Sequence, residues 1–248
     1  MNIGMYQSAA ALSALERWQD AVSQNISNSQ EIGYKKKVIE FSGTNAGRMQ
    51  TSSNDRLSQD EGRPAIFPRV NFSTNFQAGE TSPTRRDLDV AIQGEGFFEL
   101  KMPDDTKAYT RVGDFHLRPD RTLVSSGDLE LLVDGGDPIK LPPGSGAITI
   151  TRDGTIQQGN TRVGKIIVYK FEDNSRLAQI GGGKYRANGQ VPEAVEKPDL
   201  LQGNLEQSNV TALREMIDLV TISRAYEANQ KMISSRDQSF EKALEALG

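Results

Sequence analysis

Cysteine is absent from the 248-residue chain, which excludes disulfides, thiolate nucleophiles and Cys-based zinc sites. Histidine occurs once, at His116, so a His-rich metal centre is impossible. Long apolar runs are missing as well. No stretch approaches the roughly 18 consecutive apolar residues that a membrane span requires, which predicts no direct membrane insertion. The N-terminus lacks the basic start of a signal peptide, and the apolar residues from Met5 to Leu15 are interrupted by Gln7, Ser8 and Ser13. A protein of this kind, if it leaves the cytoplasm, is expected to be exported without a cleavable signal peptide. An excess of one charge is also lacking: 29 basic and 33 acidic residues leave a formal charge of −4. That balance argues against a nucleic-acid partner or an anionic-membrane surface. Lys35-Lys36-Lys37 is the one run of three basic residues and reads as a solvated exit from a helix.

The length suffices to bury a substantial core in one or two domains. The two ends carry helical spacing and the middle does not. Met5, Ser8, Leu12, Leu15, Val22 and Ile26 recur at intervals of three, four and seven, with Trp18 beside the stripe and Ala9, Ala10 and Ala11 adding helix propensity. Ser27, Asn28 and Ser29 weaken the helix, and Gly33 ends it or lies just beyond its end. At the other terminus, Asn209 or Thr211 is placed to cap a helix running nearly to Gly248. Leu219, Tyr226, Ile233, Phe240 and Leu247 recur every seven residues, Ile222 and Ala243 occupy the partner seam, and Asn229 and Arg236 interrupt it. Spacing alone leaves two readings open: coiled-coil-like packing, or an amphipathic helix lying on its own domain.

Glycine, proline and polar turns punctuate the middle. Ala91–Leu100, Ala108–Leu117, Thr122–Val124, Ile148–Ile150 and Lys165–Phe171 read as strands, with loops at Gly113-Asp114, Asp153-Gly154 and Gly181-Gly182-Gly183. Phe97 and Phe98 point to opposite faces if that segment is a strand, which places one ring in the core. The expected fold class is α+β, with helices at the two ends and a central mainly-β domain. The expected domains are an N-terminal helix over 1–36, an extended or partly ordered arm over 37–83, a β-rich domain over 84–200 and a C-terminal helix over 201–248.

No catalytic constellation emerges. His116 has no Gly-x-Ser-x-Gly nucleophile elbow to serve. Asp87 and Asp89, and Glu16 and Asp20, lack the surrounding loop of a calcium site and read as solvated charges. Gly94-Glu95-Gly96 is followed by Phe97-Phe98 and by Glu99 where a dinucleotide loop needs its third glycine. Gly183-Lys184 is followed by Tyr185 where a P-loop needs Ser or Thr. The expectation is a non-enzyme with no cofactor and no catalytic or metal site.

Three ordered motifs resemble the flagellar basal-body rod and hook protein family. The first is Ser23-Gln24-Asn25-Ile26-Ser27-Asn28 leading to Gly33-Tyr34-Lys35. The second is Leu88-Asp89-Val90-Ala91-Ile92-Gln93-Gly94-Glu95-Gly96-Phe97-Phe98, followed by Tyr109-Thr110-Arg111-Val112-Gly113-Asp114-Phe115. The third is Gly203-Asn204-Leu205-Glu206-Gln207-Ser208-Asn209-Val210, then Arg224-Ala225-Tyr226-Glu227-Ala228-Asn229. The length is similar to that of the rod members rather than the larger hook protein. The resemblance implies N- and C-terminal helices packing in a coiled-coil-like layer with the mainly-β domain outside it, in a structural rod subunit, a drive shaft for motility, added helically to a tube across the periplasm. Its implied partners are copies of itself, other rod and hook subunits and the flagellar type III export apparatus. The expected assembly interface places Met5, Leu12, Leu15, Val22 and Ile26 opposite Leu219, Ile222, Tyr226, Ile233, Phe240 and Leu247. A helix with one apolar stripe and no local cover is marginal alone, which would couple its folding to assembly. The competing reading is a soluble β-domain binding module with an oligomerising helix.

Overall fold

The structure is a computed structural model and describes residues 3–48, 64–133, 136–144 and 146–245. The chain divides into two compact units. Unit 1 comprises Met1–Ser27, Lys37–Ser73 and Thr211–Gly248, and unit 2 comprises Asn28–Lys36 and Thr74–Val210. The chain therefore crosses between units four times, after residues 27, 36, 73 and 210.

In unit 1, helix α1 (Ile3–Ser27) and helix α2 (Ala212–Glu245) pack against one another. Helix α1 stops where Ser27-Asn28-Ser29 offers the backbone side-chain alternatives to helical hydrogen bonds. Its buried positions are mostly small, with Ser8, Ala14, Ala21, Val22 and Asn25 among them, and small side chains let helices approach closely. On α2, Ile222 is wholly buried, while Leu219, Tyr226 and Ile233 are half-buried near the same face. The terminal helices thus cover each other in part, contrary to the expectation that each lacks a local cover. Strands Lys37–Arg48 and Pro64–Thr74 pair as a two-stranded sheet. They fall within the segment 37–83 read as an extended arm, whose last residues form a further short strand, Thr81–Pro83, paired with Asn204–Glu206; residues 49–63 lie outside the described residues.

Unit 2 is mostly β, which with the two helices makes the chain α+β. The strand expected over 91–100 is two strands, Val90–Gln93 and Phe97–Lys101, separated by a bend at Gly94-Glu95-Gly96. Similarly, the stretch 108–117 breaks into Lys107–Thr110 and His116–Leu117. Phe97–Lys101 is the hub of the largest sheet. It runs antiparallel to Lys107–Thr110 on one edge, and its other edge is shared by Val168–Lys170 and Leu129–Leu131. Phe98 packs into the main core with Leu100, Phe115, Leu131 and Ile166. Phe97 enters a second, aromatic cluster with Tyr109, Phe171 and Tyr185. Both rings are therefore buried, because this strand is covered on both faces rather than one.

Candidate functional site

Unit 2 gathers parts of all three motifs into one buried polar junction. Lys35, from the first motif, is 0% exposed; its Nζ donates to Glu206 Oε1 and, at 2.8 Å, to the carbonyl of Gln77. Glu206, from the third motif, also accepts from the Gly79 amide at 2.9 Å, and its own carbonyl accepts from the Gly33 amide at 2.8 Å. Arg111, which follows the second motif, places Nη1 3.6 Å from Glu206 Oε2. Its Nη2 donates to the Gly94 carbonyl at 2.6 Å, and its guanidinium lies 5.8 Å from the centre of the Phe97 ring. Burial pushes both the Lys35 ammonium and the Arg111 guanidinium below their ordinary pKa values, and the Glu206 carboxylate opposes that push. The reading of Lys35 as a solvated helix exit is thereby corrected. Asp89 is corrected likewise: it is fully buried and paired with Arg86 and Thr84.

Asn209 stands close to Glu206 in sequence, at the chain's exit from unit 2, and shares the Gln77 carbonyl with Lys35. Its Oδ1 accepts from the Lys36 amide at 2.7 Å, and its Nδ2 donates to the carbonyls of Asn75 and Gln77, both at 2.9 Å. The Asn209 amide donates to the Tyr34 carbonyl at 3.4 Å, and the Asn75 amide to the Lys36 carbonyl at 2.9 Å. Two glycines permit this crowding. Gly33 adopts φ +65°, which L side chains resist, with a hypothetical Cβ only 2.9 Å from the Val112 nitrogen. A Cβ on Gly79 would lie 2.0 Å from the Gln207 carbonyl oxygen. Gly79→Ala is therefore expected to cost about 1–3 kcal/mol, read as a lower urea midpoint for unit 2 at unchanged slope.

In unit 1 an asparagine of the first motif makes a comparable knot. Asn25, itself buried, donates through Nδ2 to Glu215 Oε2 and to the Lys37 carbonyl, and its Oδ1 accepts from the Lys37 amide, each at 2.9 Å. It joins the end of α1, the start of a strand and the first turn of α2, where a carboxylate such as Glu215 also favours the helix N-terminus. Of the expected interface residues, Val22 and Ile222 are buried, and Leu12, Leu15, Ile26, Leu219, Tyr226 and Ile233 are half-buried. Leu247 lies outside the described residues, as do the side chains of Met5 and Phe240. The seven-residue repeat passes over a different face of α2. Leu213 (71% exposed), Met216, Ile217 (60%) and Val220 stand uncovered at i, i+3, i+4 and i+7.

His116 is exposed on its strand. A cleft of about 560 Å³ beside the Gly94–Gly96 bend is lined by residues that include Phe76, Phe97, Arg111 and Asn174; in its wall the Ser175 hydroxyl donates to Asp173 Oδ1 at 2.6 Å, within the cap of the short helix Asn174–Arg176. Among the described residues there is no metal-ligand cluster and no helix long and apolar enough to cross a membrane.

Two family models match the chain. The flagellar hook protein FlgE/F/G D1 domain matches residues 91–158, and the flagellar basal body rod FlgEFG protein C-terminal region matches residues 201–246. The chain is 32% identical over 252 residues to the flagellar basal-body rod protein FlgF of Caulobacter vibrioides, covering 100% of this chain and 99% of that relative. It is 30% identical over 262 residues to the flagellar basal-body rod protein FlgG of Buchnera aphidicola subsp. Acyrthosiphon pisum, covering 96% and 97%. It is 28% identical over 253 residues to the flagellar basal-body rod protein FlgF of Rhizobium meliloti, covering 100% and 99%.

Proposed function

Because the chain belongs to the flagellar basal-body rod protein family, we propose that it assembles helically into the rod through unit 1 and serves there as part of the drive shaft for motility. As a member of that family it is a structural, non-enzymatic subunit of the flagellar basal body, with other rod and hook subunits as its partners. In this reading it reaches the periplasm-spanning rod through the flagellar type III export apparatus, without a cleavable signal peptide, binds no nucleic acid and does not insert directly into a membrane. Leu12, Leu15, Val22, Ile26, Leu219, Ile222, Tyr226 and Ile233 stitch α1 to α2, and the repeated contact between subunits uses the outer face of α2. Head-to-tail contacts that do not close on themselves generate a helical filament.

The observation that carries this reading is the uncovered stripe of Leu213, Met216, Ile217 and Val220 on a helix whose opposite face is packed. Four apolar side chains at turn spacing form a contiguous patch of the kind that marks a protein contact. The test is Ile217→Asp. At a 60% exposed position the change is expected to alter monomer stability by no more than about 0.5 kcal/mol. It is expected to abolish incorporation into purified basal bodies and swimming, at matched export. Normal incorporation of Ile217→Asp, or absence of the wild-type chain from basal bodies, contradicts the proposal.

A further inference from the structure

We infer that Asn209 is a positioning residue: it staples three of the four chain crossings at the margin of unit 2, and the subunit requires that staple to assemble. The inference rests on the rod-subunit reading. The crossings follow residues 27, 36, 73 and 210. Lys36, Asn75 and Asn209 stand beside the last three of them, and all three meet at one side chain. The carboxamide accepts from the Lys36 amide at 2.7 Å and donates to the Asn75 and Gln77 carbonyls at 2.9 Å. Its own backbone amide reaches the Tyr34 carbonyl, and the Asn75 amide reaches that of Lys36.

The chemistry is specific to a carboxamide. One end must accept and the other must donate twice, which neither a carboxylate nor a hydroxyl does. The buried Lys35–Glu206 pair holds the same segment after Thr74, through the Gln77 carbonyl and the Gly79 amide. The segments bearing α2 and the two paired strands therefore leave unit 2 from one hydrogen-bonded point, whereas α1 joins unit 2 at the remaining crossing, after residue 27. Displacement arriving along residue 37 or residue 211 meets the Asn209 bonds before it reaches the sheet. Nothing in the apolar core depends on this side chain, which is only partly buried. Loss of the staple is thus separable from loss of the fold.

Asn209→Asp is nearly isosteric and turns the double donor into an acceptor facing two carbonyls. In the full-length protein we expect exchange of the Asn75 amide to accelerate about tenfold or more. The melting of unit 2 is expected to remain near the wild-type value, and incorporation into basal bodies to be lost at matched export. Asn209→Ala removes the side-chain bonds without adding charge and gives the same readouts if the aspartate variant does not fold. Unchanged Asn75 exchange, or wild-type incorporation of either variant, overturns the inference. So does a fall in unit 2 melting that parallels the loss of incorporation, which would make Asn209 a stabilising residue only. Absence of the wild-type chain from basal bodies would instead remove the rod-subunit reading, while the exchange measurement would still decide whether the staple exists.

Discussion

Glu206→Gln is expected to destabilise unit 2 by about 3–5 kcal/mol, the loss typical of a buried ion pair deprived of one partner. The substitution preserves volume and shape, so the cost is electrostatic. Among the described residues, Glu206 is the carboxylate shared by Lys35 and Arg111, which are both nearly wholly buried. Without it, two cations face each other with no anion between them, and water cannot reach them to compensate. Burial already pushes both groups towards their neutral forms, and the Glu206 carboxylate is what opposes it. The neutral amide also weakens the acceptor offered to the Gly79 amide. Lys35→Met is expected to be much milder. It leaves Glu206 facing Arg111 and the Gly79 amide, and the methionine fills most of the vacated space. Urea unfolding followed by segment-resolved hydrogen exchange measures unit 2 directly, and Trp18, the sole tryptophan, reports unit 1. A loss from Lys35→Met equal to or larger than that from Glu206→Gln would show that Glu206 is not the hub of the cluster.

This hub was not legible in the sequence for a definite reason. Lys35 and Glu206 are 171 positions apart, and periodicity reports only which face of a local element is apolar. Lys35 heads a run of three lysines, a pattern that usually marks solvent, and nothing local distinguishes the buried lysine from its two neighbours. The available clue was the presence of each residue in a separate family motif, which suggested importance but no pairing. Helices α1 and α2 were legible because their apolar residues recur at turn spacing over many turns. The bends at Gly94-Glu95-Gly96 and beyond Thr110 were harder, since Ala91–Leu100 and Ala108–Leu117 each read as one continuous β-prone run. The paired strands over 37–48 and 64–74 carry little alternation, so pairing had no periodic signature there. The outer stripe of α2 was overlooked for another reason. A seven-residue repeat selects one seam and ignores a short cluster, such as Leu213 to Val220, on the other side of the same helix.

That division of α2 into two faces leads to the second large effect. Ile222 is 0% exposed, in a unit built around the α1–α2 pair. Truncating such a side chain to alanine costs about 2–5 kcal/mol. An aspartate adds a carboxylate in a place where apolar neighbours cannot solvate it. Ile222→Asp is therefore expected to separate the helix pair, with fast hydrogen exchange across α1 and α2, a red shift of Trp18 emission, and retained protection in the strands of unit 2. Two controls bracket the claim. Lys231 stands nine residues further on, about half a turn away around the helix, and is exposed; Lys231→Asp is expected to change stability by no more than about 0.5 kcal/mol. Ile217→Asp, on the uncovered stripe, is expected to leave the monomer as intact as Lys231→Asp does, yet to block assembly as completely as Ile222→Asp. The three variants thus distinguish a face that folds the subunit from a face that joins it to its neighbours. Equal exchange rates in the Ile222→Asp and Lys231→Asp proteins would mean that α1 and α2 do not form a stable pair in the monomer. The seam would then have to be completed by another subunit, and the assignment of the two faces would be wrong.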